Sequence, residues 1–348
     1  MSMIDLRSDT VTRPSNEMLE FMTQVAVGDD VFGEDPTVIR LESLIADMCA
    51  MDAAVFTPSG TQSNLIGIMA HCQRGDEYIV GQTAHTYMWE GGGAAVLGSI
   101  QPQPLDFEND GTLDLNKIDL AIKPIDDHHA RTKLVCLENT TSGKVLPLDY
   151  LENFSKFCKE KGLASHLDGA RVFNAAIQNE SGIDEICKHF DSVSICLSKG
   201  LGAPVGSILC GSRELIREAR HWRKMLGGGM RQAGYLAAAG IYALHNNIER
   251  LAEDHRNAKY LATELTKIDE IDVDISSVQT NMLFITVKNG YNELRNTLFN
   301  KGIVLPKSPN KNGKIRLVTH LDITASNVNR VVQEVKQFYS MKVYAGAE

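Results

Sequence analysis

One lysine follows a short apolar run in residues 193–204, VSICLSKGLGAP. The β-branched and apolar residues at 193–196 predict a buried strand, and the glycines after Lys199 predict a turn. A buried ammonium is costly, so most lysines lie on solvated surfaces. Lys199 is therefore interpreted either as a strand-end lysine whose tip reaches solvent, or as an amine that forms a Schiff base with an aldehyde.

A turn rich in hydroxyl groups joins a predicted strand at 53–57 to a predicted helix at 64–71, and it contains Ser59, Gly60 and Thr61. Glycine allows the backbone to approach a ligand closely, the hydroxyls donate hydrogen bonds, and a helix N-terminus favours an anion. The turn therefore suits a phosphate group. An ordinary strand-to-helix turn with a hydroxyl cap would use the same residues.

Two further polar residues follow predicted strands. Asp168 ends the run ASHLD, after a strand predicted at 164–167. A buried carboxylate needs a cation, which either a protonated pyridine nitrogen or nearby Arg171 would supply. His85 follows a strand predicted at 78–80, and its imidazole would stack on a cofactor ring, move a proton near neutral pH, or serve as a polar cap.

These residues occur in the order phosphate turn, histidine, aspartate and lysine, each at a strand end, where open α/β sheets bind ligands. Pyridoxal phosphate requires such a set, since the turn would hold its phosphate, Asp168 its protonated pyridine nitrogen and Lys199 its aldehyde. A dinucleotide is disfavoured, because no GxGxxG follows a strand and the glycines at 91–93 and 227–229 have the wrong spacing. No metal site is predicted.

The elements that position these residues alternate between strand and helix over the first two thirds of the chain, which predicts a mostly parallel sheet covered on both faces. Asp35 and Pro36 predict the start of a helix. We expect an N-terminal arm at 1–13, a large cofactor-binding domain at 14–248 and a small C-terminal α/β domain at 249–348. The predicted strands are 53–57, 78–80, 133–138, 164–167, 193–196, 205–210, 282–287 and 314–319, and the later helices are 148–161, 291–301 and 325–339.

Composition excludes several classes of partner. The 348 residues carry a net charge of -9 with no basic run, which disfavours nucleic acid and anionic membranes. No apolar run approaches the ~20 residues of a membrane span, and the start MSMIDLRSD lacks a signal-peptide core. The seven cysteines show no CxxC pair and several lie in apolar runs, which predicts buried thiols in a reduced, cytoplasmic protein.

The chain also resembles, nearly end to end, the low-specificity L-threonine aldolases, which share the aspartate-aminotransferase-like fold of pyridoxal-phosphate enzymes (fold type I). The fold class expected from the resemblance is thus α/β, with a mostly parallel large-domain sheet and a smaller C-terminal α/β domain. The stretches that carry the resemblance are DLRSDTVTRP, GDDVFGEDPT, PSGTQSN, GQTAHTYMWEGGGAAVLGSIQPQP, LENTTSGKVLP, HLDGARVFNA, CLSKGLGAPVGS, WRKMLGGGMRQ and RLVTHLD.

The resemblance implies roles for the residues that hold the cofactor. Lys199 would bind its aldehyde as a Schiff base, Asp168 would pair with the pyridine nitrogen, and His85 would stack over the ring. His85 would also act as the base, with an ordered water as the alternative. Further cofactor contacts are implied for the phosphate turn and two arginines, namely Ser59, Gly60, Thr61, Arg171 and Arg231, the last beside or from a neighbouring subunit.

Substrate contacts are implied for a second set of residues. Ser8, Arg171 and Arg316 would grip the substrate carboxylate or the ring oxygen of the cofactor. His128 would lie near the substrate hydroxyl, although the run Asp126-Asp127-His128-His129 leaves His129 as an alternative.

The implied reaction is retro-aldol cleavage of L-threonine and L-allo-threonine to glycine and acetaldehyde, in a homotetramer built as a dimer of dimers. We expect low selectivity at the β-carbon and strict L selectivity at Cα. A β-eliminating lyase or an aminotransferase of the same fold would need the same lysine, aspartate and phosphate turn. A non-catalytic regulator is disfavoured, because Lys199 and Asp168 are both present.

Overall fold

A computed structural model describes residues 3–345 of the chain, so the outermost residues of the predicted arm and of the predicted small domain lie outside the described residues. The strands are β1 Ile4–Asp5, β2 Ala53–Thr57, β3 Asp76–Gly81, β4 Gln101–Leu105, β5 Arg131–Glu138, β6 Ala164–Gly169, β7 Ser192–Cys196, β8 Ser207–Gly211, β9 Ile271–Val273, β10 Met282–Val287, β11 Ile303–Val304 and β12 Ile315–Val318.

The helices alternate with these strands through most of the chain. They are α1 Asn16–Thr23, α2 Pro36–Met48, α3 Gly60–His71, α4 His85–Met88, α5 Gly93–Val96, α6 Leu115–Ala121, α7 Leu148–Lys161, α8 Val172–Gln178, α9 Asp184–Cys187, α10 Arg213–Met225, α11 Gly234–Asn246, α12 Leu251–Leu265, α13 Tyr291–Asn300 and α14 Ala325–Ala345.

The large sheet has seven strands in the order β2-β8-β7-β6-β5-β3-β4. Neighbours from β7 to β4 pair in parallel, whereas β8 runs antiparallel to both β7 and β2. Consequently β2 and the parallel strands end at the same edge of the sheet, where β8 begins. We call this the carboxyl edge, and ligands of open α/β sheets bind at such an edge. The expected mostly parallel sheet is confirmed.

Local sequence explains the boundaries of these elements. Helix α2 starts after Asp35, whose carboxylate accepts from the backbone N–H groups of Thr37 and Val38 at 3.0 and 3.1 Å. Helix α3 begins at Gly60, four residues before the predicted start, because Ser59 caps it. The sequence did not predict β4, QPQPL, since proline cannot donate to a ladder; the strand forms because it lies at the sheet edge.

Two main apolar cores are present among the described residues. One packs around the large sheet and draws on residues from Met18 to Leu251, and the other joins Ile4 and Leu6 to residues between Ala258 and Tyr339. The second core holds the three-stranded sheet β12-β10-β9, and β1 pairs in parallel with β11 beside it. The arm therefore packs with the C-terminal part of the chain. The predicted domain division at residue 248 stays a prediction.

All seven cysteines are free and buried, which agrees with the prediction of small buried thiols. Within residues 3–345, no helix combines the length and the apolar character that crossing a bilayer requires.

Candidate active site

The structure brings most of the predicted site residues to the carboxyl edge of the large sheet. Ser59, Gly60 and Thr61 follow β2, and His85 follows β3. Asp168 lies at the end of β6, directly across from the last residue of β5, and Lys199 lies three residues beyond β7. The direction of the strands thus places the four predicted features at one edge.

Lys199 is half-buried in the turn after β7. Its backbone carbonyl accepts from Thr12 Oγ1 at 3.0 Å and from the N–H of Gly202 at 2.9 Å, which fixes the turn. Its amine makes no hydrogen bond or ion pair with any side chain in the described part of the chain. The amine is therefore held at the sheet edge with its donors unused.

Asp168 is only 3% exposed, and both of its carboxylate oxygens accept hydrogen bonds. The N–H of Ala170 donates to Oδ1 at 3.0 Å, and Asn64 Nδ2 donates to Oδ2 at 3.0 Å. The alternative of an ion pair with Arg171 is not what the structure shows. Among the described residues, no cation lies within ion-pair distance of this carboxylate, so its charge is unbalanced until a cationic ligand arrives.

Arg171 instead forms a two-pronged ion pair with Asp9 of the arm. Its Nε and Nη2 donate to the two carboxylate oxygens at 2.8 and 2.7 Å, and Asn281 Nδ2 adds a bond to Asp9 at 3.2 Å. Burial would raise the pKa of Asp9, but Arg171, with Lys199 farther away, holds it well below its usual range. Burial would likewise lower the pKa of Arg171, yet Asp9 raises it. The pair is a fixed charged contact between arm and sheet.

The arm also gathers the other residues predicted to hold the substrate. Ser8 caps the short 3-10 helix Asp9–Val11, and its Oγ accepts from the N–H of Thr10 at 3.3 Å. Arg316 of β12 donates through Nη2 to the carbonyl of Arg7 at 3.3 Å. Burial and the nearby Arg171 lower the pKa of Arg316, and no carboxylate of the described residues pairs with it. Arg316 is thus a cation without an anion.

His85 opens α4 between two carboxylates that the sequence analysis did not assign. Its backbone N–H donates to Glu138 Oε2 at 2.8 Å, and its ring Nδ1 lies 2.8 Å from Glu90 Oε1. The hydrogen bond with Glu90 is the chief reason that the pKa of His85 is raised. The side chain is 45% exposed, and ring Nε2 has no partner among the described residues. The second nitrogen is therefore available to a ligand.

Glu90 and Glu138 are half-buried residues whose carboxyl groups lie beside Asp168 and are largely removed from solvent. Burial raises the pKa of both carboxyls, and the charge of Asp168 adds to the effect. One oxygen or nitrogen from each of His85, Glu90 and Asp168 lies within 4.8 Å of the others, a set that could also coordinate a cation. Asn64, however, points its amide nitrogen at Glu90 Oε1 and at Asp168, so these oxygens already accept hydrogen bonds.

The hydroxyl-rich turn after β2 has the features of an anion site. Ser59 Oγ accepts from the N–H of Gln62 at 3.2 Å, and the earlier N–H groups of α3 have no intrahelical partner. A Cβ added to Gly60 would lie 3.4 Å from Ser207 Oγ, which is buried and has no hydrogen-bond partner among the described residues. Ser207 was not singled out from the sequence, although it ends the stretch CLSKGLGAPVGS.

Arg231 lies in the loop that packs against this turn. A Cβ on Gly228 would fall 1.8 Å from Gln62 Oε1, so the loop contacts the first turn of α3 directly. The guanidinium of Arg231 pairs with Asp29 at 2.8 Å and lies over the ring of Phe32, 5.8 Å from its centre. The side chain is more than half exposed.

His128 and His129 are not near Lys199 within one chain. Both precede Arg131, the first residue of β5, whereas the carboxyl edge is at the other end of this eight-residue strand. At ~3.3 Å per residue the strand is about 26 Å long, so these histidines lie at the opposite edge of the sheet. The His128 side chain is 89% exposed, and its backbone N–H donates to Asp126 at 2.8 Å.

Comparison with known proteins gives consistent matches. The family model described as beta-eliminating lyase matches residues 5–288. The low specificity L-threonine aldolase of Escherichia coli (strain K12) is 52% identical over 343 residues, covering 97% of this chain and 99% of that protein. The low-specificity L-threonine aldolase 1 of Arabidopsis thaliana is 44% identical over 339 residues, covering 94% of each.

Solved structures agree on the fold. The threonine aldolase of Leishmania major superposes with a TM-score of 0.82 at 25% identity, over 96% of this chain and 99% of that one. The serine palmitoyltransferase of Sphingomonas wittichii gives a TM-score of 0.77 at 18% identity, over 96% and 86% of the two chains.

The charged and hydrogen-bonding groups of the site agree with these matches. Three features fit pyridoxal phosphate group by group: a lysine amine and a buried aspartate that have no charged partner among the described residues, and a hydroxyl turn that faces the buried Ser207 Oγ. The expected family, fold type and cofactor are confirmed. The chain therefore belongs to the beta-eliminating lyase family and, within it, to the low-specificity L-threonine aldolases, which are pyridoxal-phosphate-dependent lyases.

Proposed function

We propose that this chain breaks the Cα–Cβ bond of L-threonine and of L-allo-threonine, giving glycine and acetaldehyde. The observation that supports this most strongly is the 52% identity, over nearly the whole chain, to a low specificity L-threonine aldolase. The unpaired Lys199 and the unbalanced Asp168 at one sheet edge supply the groups that such an activity needs. The bound cofactor would supply an acceptor for the electron pair of the broken bond.

The residues at the carboxyl edge would hold that cofactor in a fixed orientation. Lys199 would bind the aldehyde carbon, and Asp168 would keep a proton on the pyridine nitrogen. The phosphate would lie against the N–H groups that open α3, with Ser59, Gly60 and Thr61 around it. Arg231, in the loop packed on that helix, would lie near the same phosphate or serve the site of a neighbouring copy.

Arg316 is the best candidate for the substrate carboxylate. Arg171 already uses its Nε and Nη2 on Asp9, whereas Arg316 has no anionic partner among the described side chains. A carboxylate bound there, with Ser8 and Arg171 beside it, would fix which bond of Cα stands perpendicular to the ring. That bond is the one that breaks, so the clamp selects the reaction.

His85 would receive the proton of the β-hydroxyl. When Nδ1–H donates to Glu90, Nε2 is the unprotonated nitrogen and can accept. His128 could meet the same hydroxyl only from a second copy of the chain, because it lies at the far edge of its own sheet. A homotetramer with shared sites would provide that contact. A histidine on either side of the hydroxyl would give low selectivity at the β-carbon.

The experiment that tests the function is an absorbance spectrum of the purified protein before and after L-threonine is added. We expect a visible Schiff-base band that borohydride abolishes, with glycine and acetaldehyde as products. Lys199→Ala should lose the band, while Lys159→Ala on the surface of α7 should keep it. Pyruvate with ammonia, or a keto acid, would show a β-eliminating lyase or an aminotransferase instead. A colourless protein with added pyridoxal phosphate would contradict the proposed site.

A further inference from the structure

A chain of buried hydrogen bonds runs from Asp168 to the far end of α3. Asn64 Nδ2 lies 3.0 Å from Asp168 Oδ2, and Asn64 Oδ1 lies 3.2 Å from His166 Nε2. His166 Nδ1 lies 2.8 Å from Ser192 Oγ, which in turn lies 2.8 Å from Nε2 of His71, the last residue of α3. Four of these side chains are at most 3% exposed.

The direction of every bond in this chain follows from its end at Asp168 and Glu90. The oxygens of Asp168 and Glu90 accept hydrogen bonds, and both lie about one bond length from the same atom of Asn64, at 3.0 and 2.9 Å. That atom must be the amide nitrogen, which has two hydrogens to donate. The amide oxygen is then an acceptor, so Nε2 of His166 must carry a hydrogen.

The rest of the chain is then fixed as well. A neutral His166 with its proton on Nε2 accepts at Nδ1 from the hydroxyl of Ser192. The oxygen of Ser192 accepts from Nε2–H of His71. Burial keeps both rings neutral, as this assignment requires, because it lowers the pKa of His166 to about 3 and that of His71 to about 4. Every donor thus meets an acceptor.

We propose that Asn64 is a positioning residue whose amide nitrogen is kept turned toward Asp168 and Glu90 by the side chains of His166, Ser192 and His71. These three residues form the relay. The inference rests on the proposed function, in which Asp168 and His85 contact the cofactor. A reversed amide would bring its oxygen against two carboxylates, which pairs acceptor with acceptor. The relay opposes that alternative as well, because a reversed amide would direct its N–H at Nε2–H of His166 unless both histidines moved their ring proton to Nδ1.

Asn64 thereby connects Asp168 with Glu90 and, through Glu90, with His85. It donates to Asp168, which would face the pyridine nitrogen, and to Glu90, which holds ring Nδ1 of His85. Loss of the amide would remove one hydrogen bond from each carboxylate and leave both oxygens buried without it. We therefore expect both the affinity for the cofactor and the hydrogen bond of Glu90 with His85 to depend on the side chain of Asn64.

Asn64→Leu is the first test, since leucine has a similar volume and no donor. Pyridoxal phosphate is titrated into the apoprotein and followed by absorbance, without any substrate. A hydrogen bond to a charged group stabilises by an amount that corresponds to roughly tenfold or more in affinity, so we expect the Kd to rise about tenfold. A Kd within about twofold of wild type would overturn the role of Asn64.

Two buried serines of β7, one in the relay and one outside it, distinguish an effect of the relay from a general effect of packing. Ser192 and Ser194 are 0% and 2% exposed, and Ser194 Oγ lies 2.7 Å from Ser63 Oγ, outside the relay. We expect Ser192→Ala to raise the Kd for pyridoxal phosphate about threefold and Ser194→Ala to leave it within about 1.5-fold. Equal changes of the Kd in the two variants would show that the hydrogen bonds of Ser192 in the relay do not affect cofactor binding.

A measurement on the wild-type protein does not depend on any variant folding. Solid-state 15N NMR of the histidine-labelled apoprotein reports which ring nitrogen carries the proton. We expect His166 to be neutral with its proton on Nε2 at pH 6; a proton on Nδ1, or a charged ring, would overturn the proposal. None of these experiments uses threonine. A protein that binds the cofactor in this way but fails to cleave threonine would therefore contradict the proposed function alone.

Discussion

Asp9 and Asp168 are buried aspartates at the same edge of the large sheet, but their charges are balanced differently. Asp9 meets the guanidinium of Arg171 in two hydrogen bonds, whereas Asp168 receives only the neutral donors of Asn64 and Ala170. A buried charge without a counter-charge is costly, and a fold does not gain from keeping one. The paired aspartate thus belongs to the frame of the site, and the unpaired one awaits a cationic ligand.

The two arginines nearby repeat this contrast. Arg171 is committed to Asp9, while the only hydrogen bond of Arg316 to another described residue goes to a backbone carbonyl. Among Asp9, Asp168, Arg171 and Arg316, therefore, one ion pair is complete, and one acid and one base have no charged partner within the described residues. The open groups mark where the pyridine nitrogen and the substrate carboxylate would bind. Substitutions at the paired and the open residues should accordingly change different properties.

The largest effect is expected for Asp168→Asn, which removes the charge that would keep the pyridine nitrogen protonated. We expect the kcat for threonine cleavage to fall by about a thousandfold, because electrostatic stabilisation of the reacting state is lost. Steady-state kinetics with saturating cofactor measures this. A loss smaller than about tenfold would mean that Asp168 is not the partner of the ring nitrogen.

Asp9→Asn should instead reduce stability. It leaves the buried guanidinium of Arg171 without its anion, so we expect the apoprotein to lose about 3–5 kcal/mol in urea unfolding. Asp168→Asn should lose less than about 1 kcal/mol in the same assay, because no ion pair is broken. Equal losses in the two variants would refute the contrast between the paired and the open aspartate.

The contribution of Asp9 to stability should also depend on pH. Its pKa in the folded protein lies well below the unfolded value of about 4, so the ionised group stabilises the fold above that value. Stability is then lost as the pH falls below about 4 toward the folded pKa. Unfolding curves of wild type and Asp9→Asn should converge on acidification. A gap that stays constant down to pH 3 would exclude this linkage.

A smaller effect is expected for Arg316→Lys. Lysine keeps the charge but cannot bind a carboxylate through two parallel hydrogen bonds. We expect the KM for threonine to rise about tenfold with the cofactor spectrum unchanged. Arg213→Lys, at an exposed position on α10, serves as the control. A changed spectrum with an unchanged KM would assign Arg316 to the cofactor and not to the substrate.

The smallest effect is expected for Glu90→Gln, which keeps the shape of the side chain but weakens its hold on His85. The hydrogen bond to Glu90 raises the pKa of His85, so its loss should lower that pKa. If His85 accepts the proton, the acid limb of the kcat profile moves to lower pH, and the kcat at neutral pH falls by less than about tenfold. An acid limb that does not move would argue for another base.

Much of this site could be predicted from the sequence because its residues follow strands. Once the order of strand and helix was recognised, Ser59, His85, Asp168 and Lys199 were expected at one edge, and there they lie. Two elements are predicted less well. Strand β4 is missed because its prolines disfavour a strand, and the start of helix α3 is placed too late because Ser59 caps the helix.

The partners of these residues could not be predicted in the same way. Asp9 and Arg171 are 162 residues apart in the chain, and Asn64 and Asp168 are 104 apart. No local pattern shows such pairs, and the sequence offered Arg171 as one of two alternative partners of Asp168 only because the two are near neighbours. Similarly, the resemblance assigns His128 to the substrate hydroxyl. It does not show that His128 precedes β5 and therefore lies at the opposite edge of the sheet.

The pairing of β1 with β11 has a mechanical consequence. It joins the arm to the C-terminal core, so Ser8 and Arg316 move with that part of the chain, while Lys199 and Arg171 move with the large sheet. Any tilt between the two parts would widen or narrow the gap in which the substrate carboxylate is expected. The ion pair of Asp9 with Arg171 joins these two parts, so we expect it to resist such a tilt.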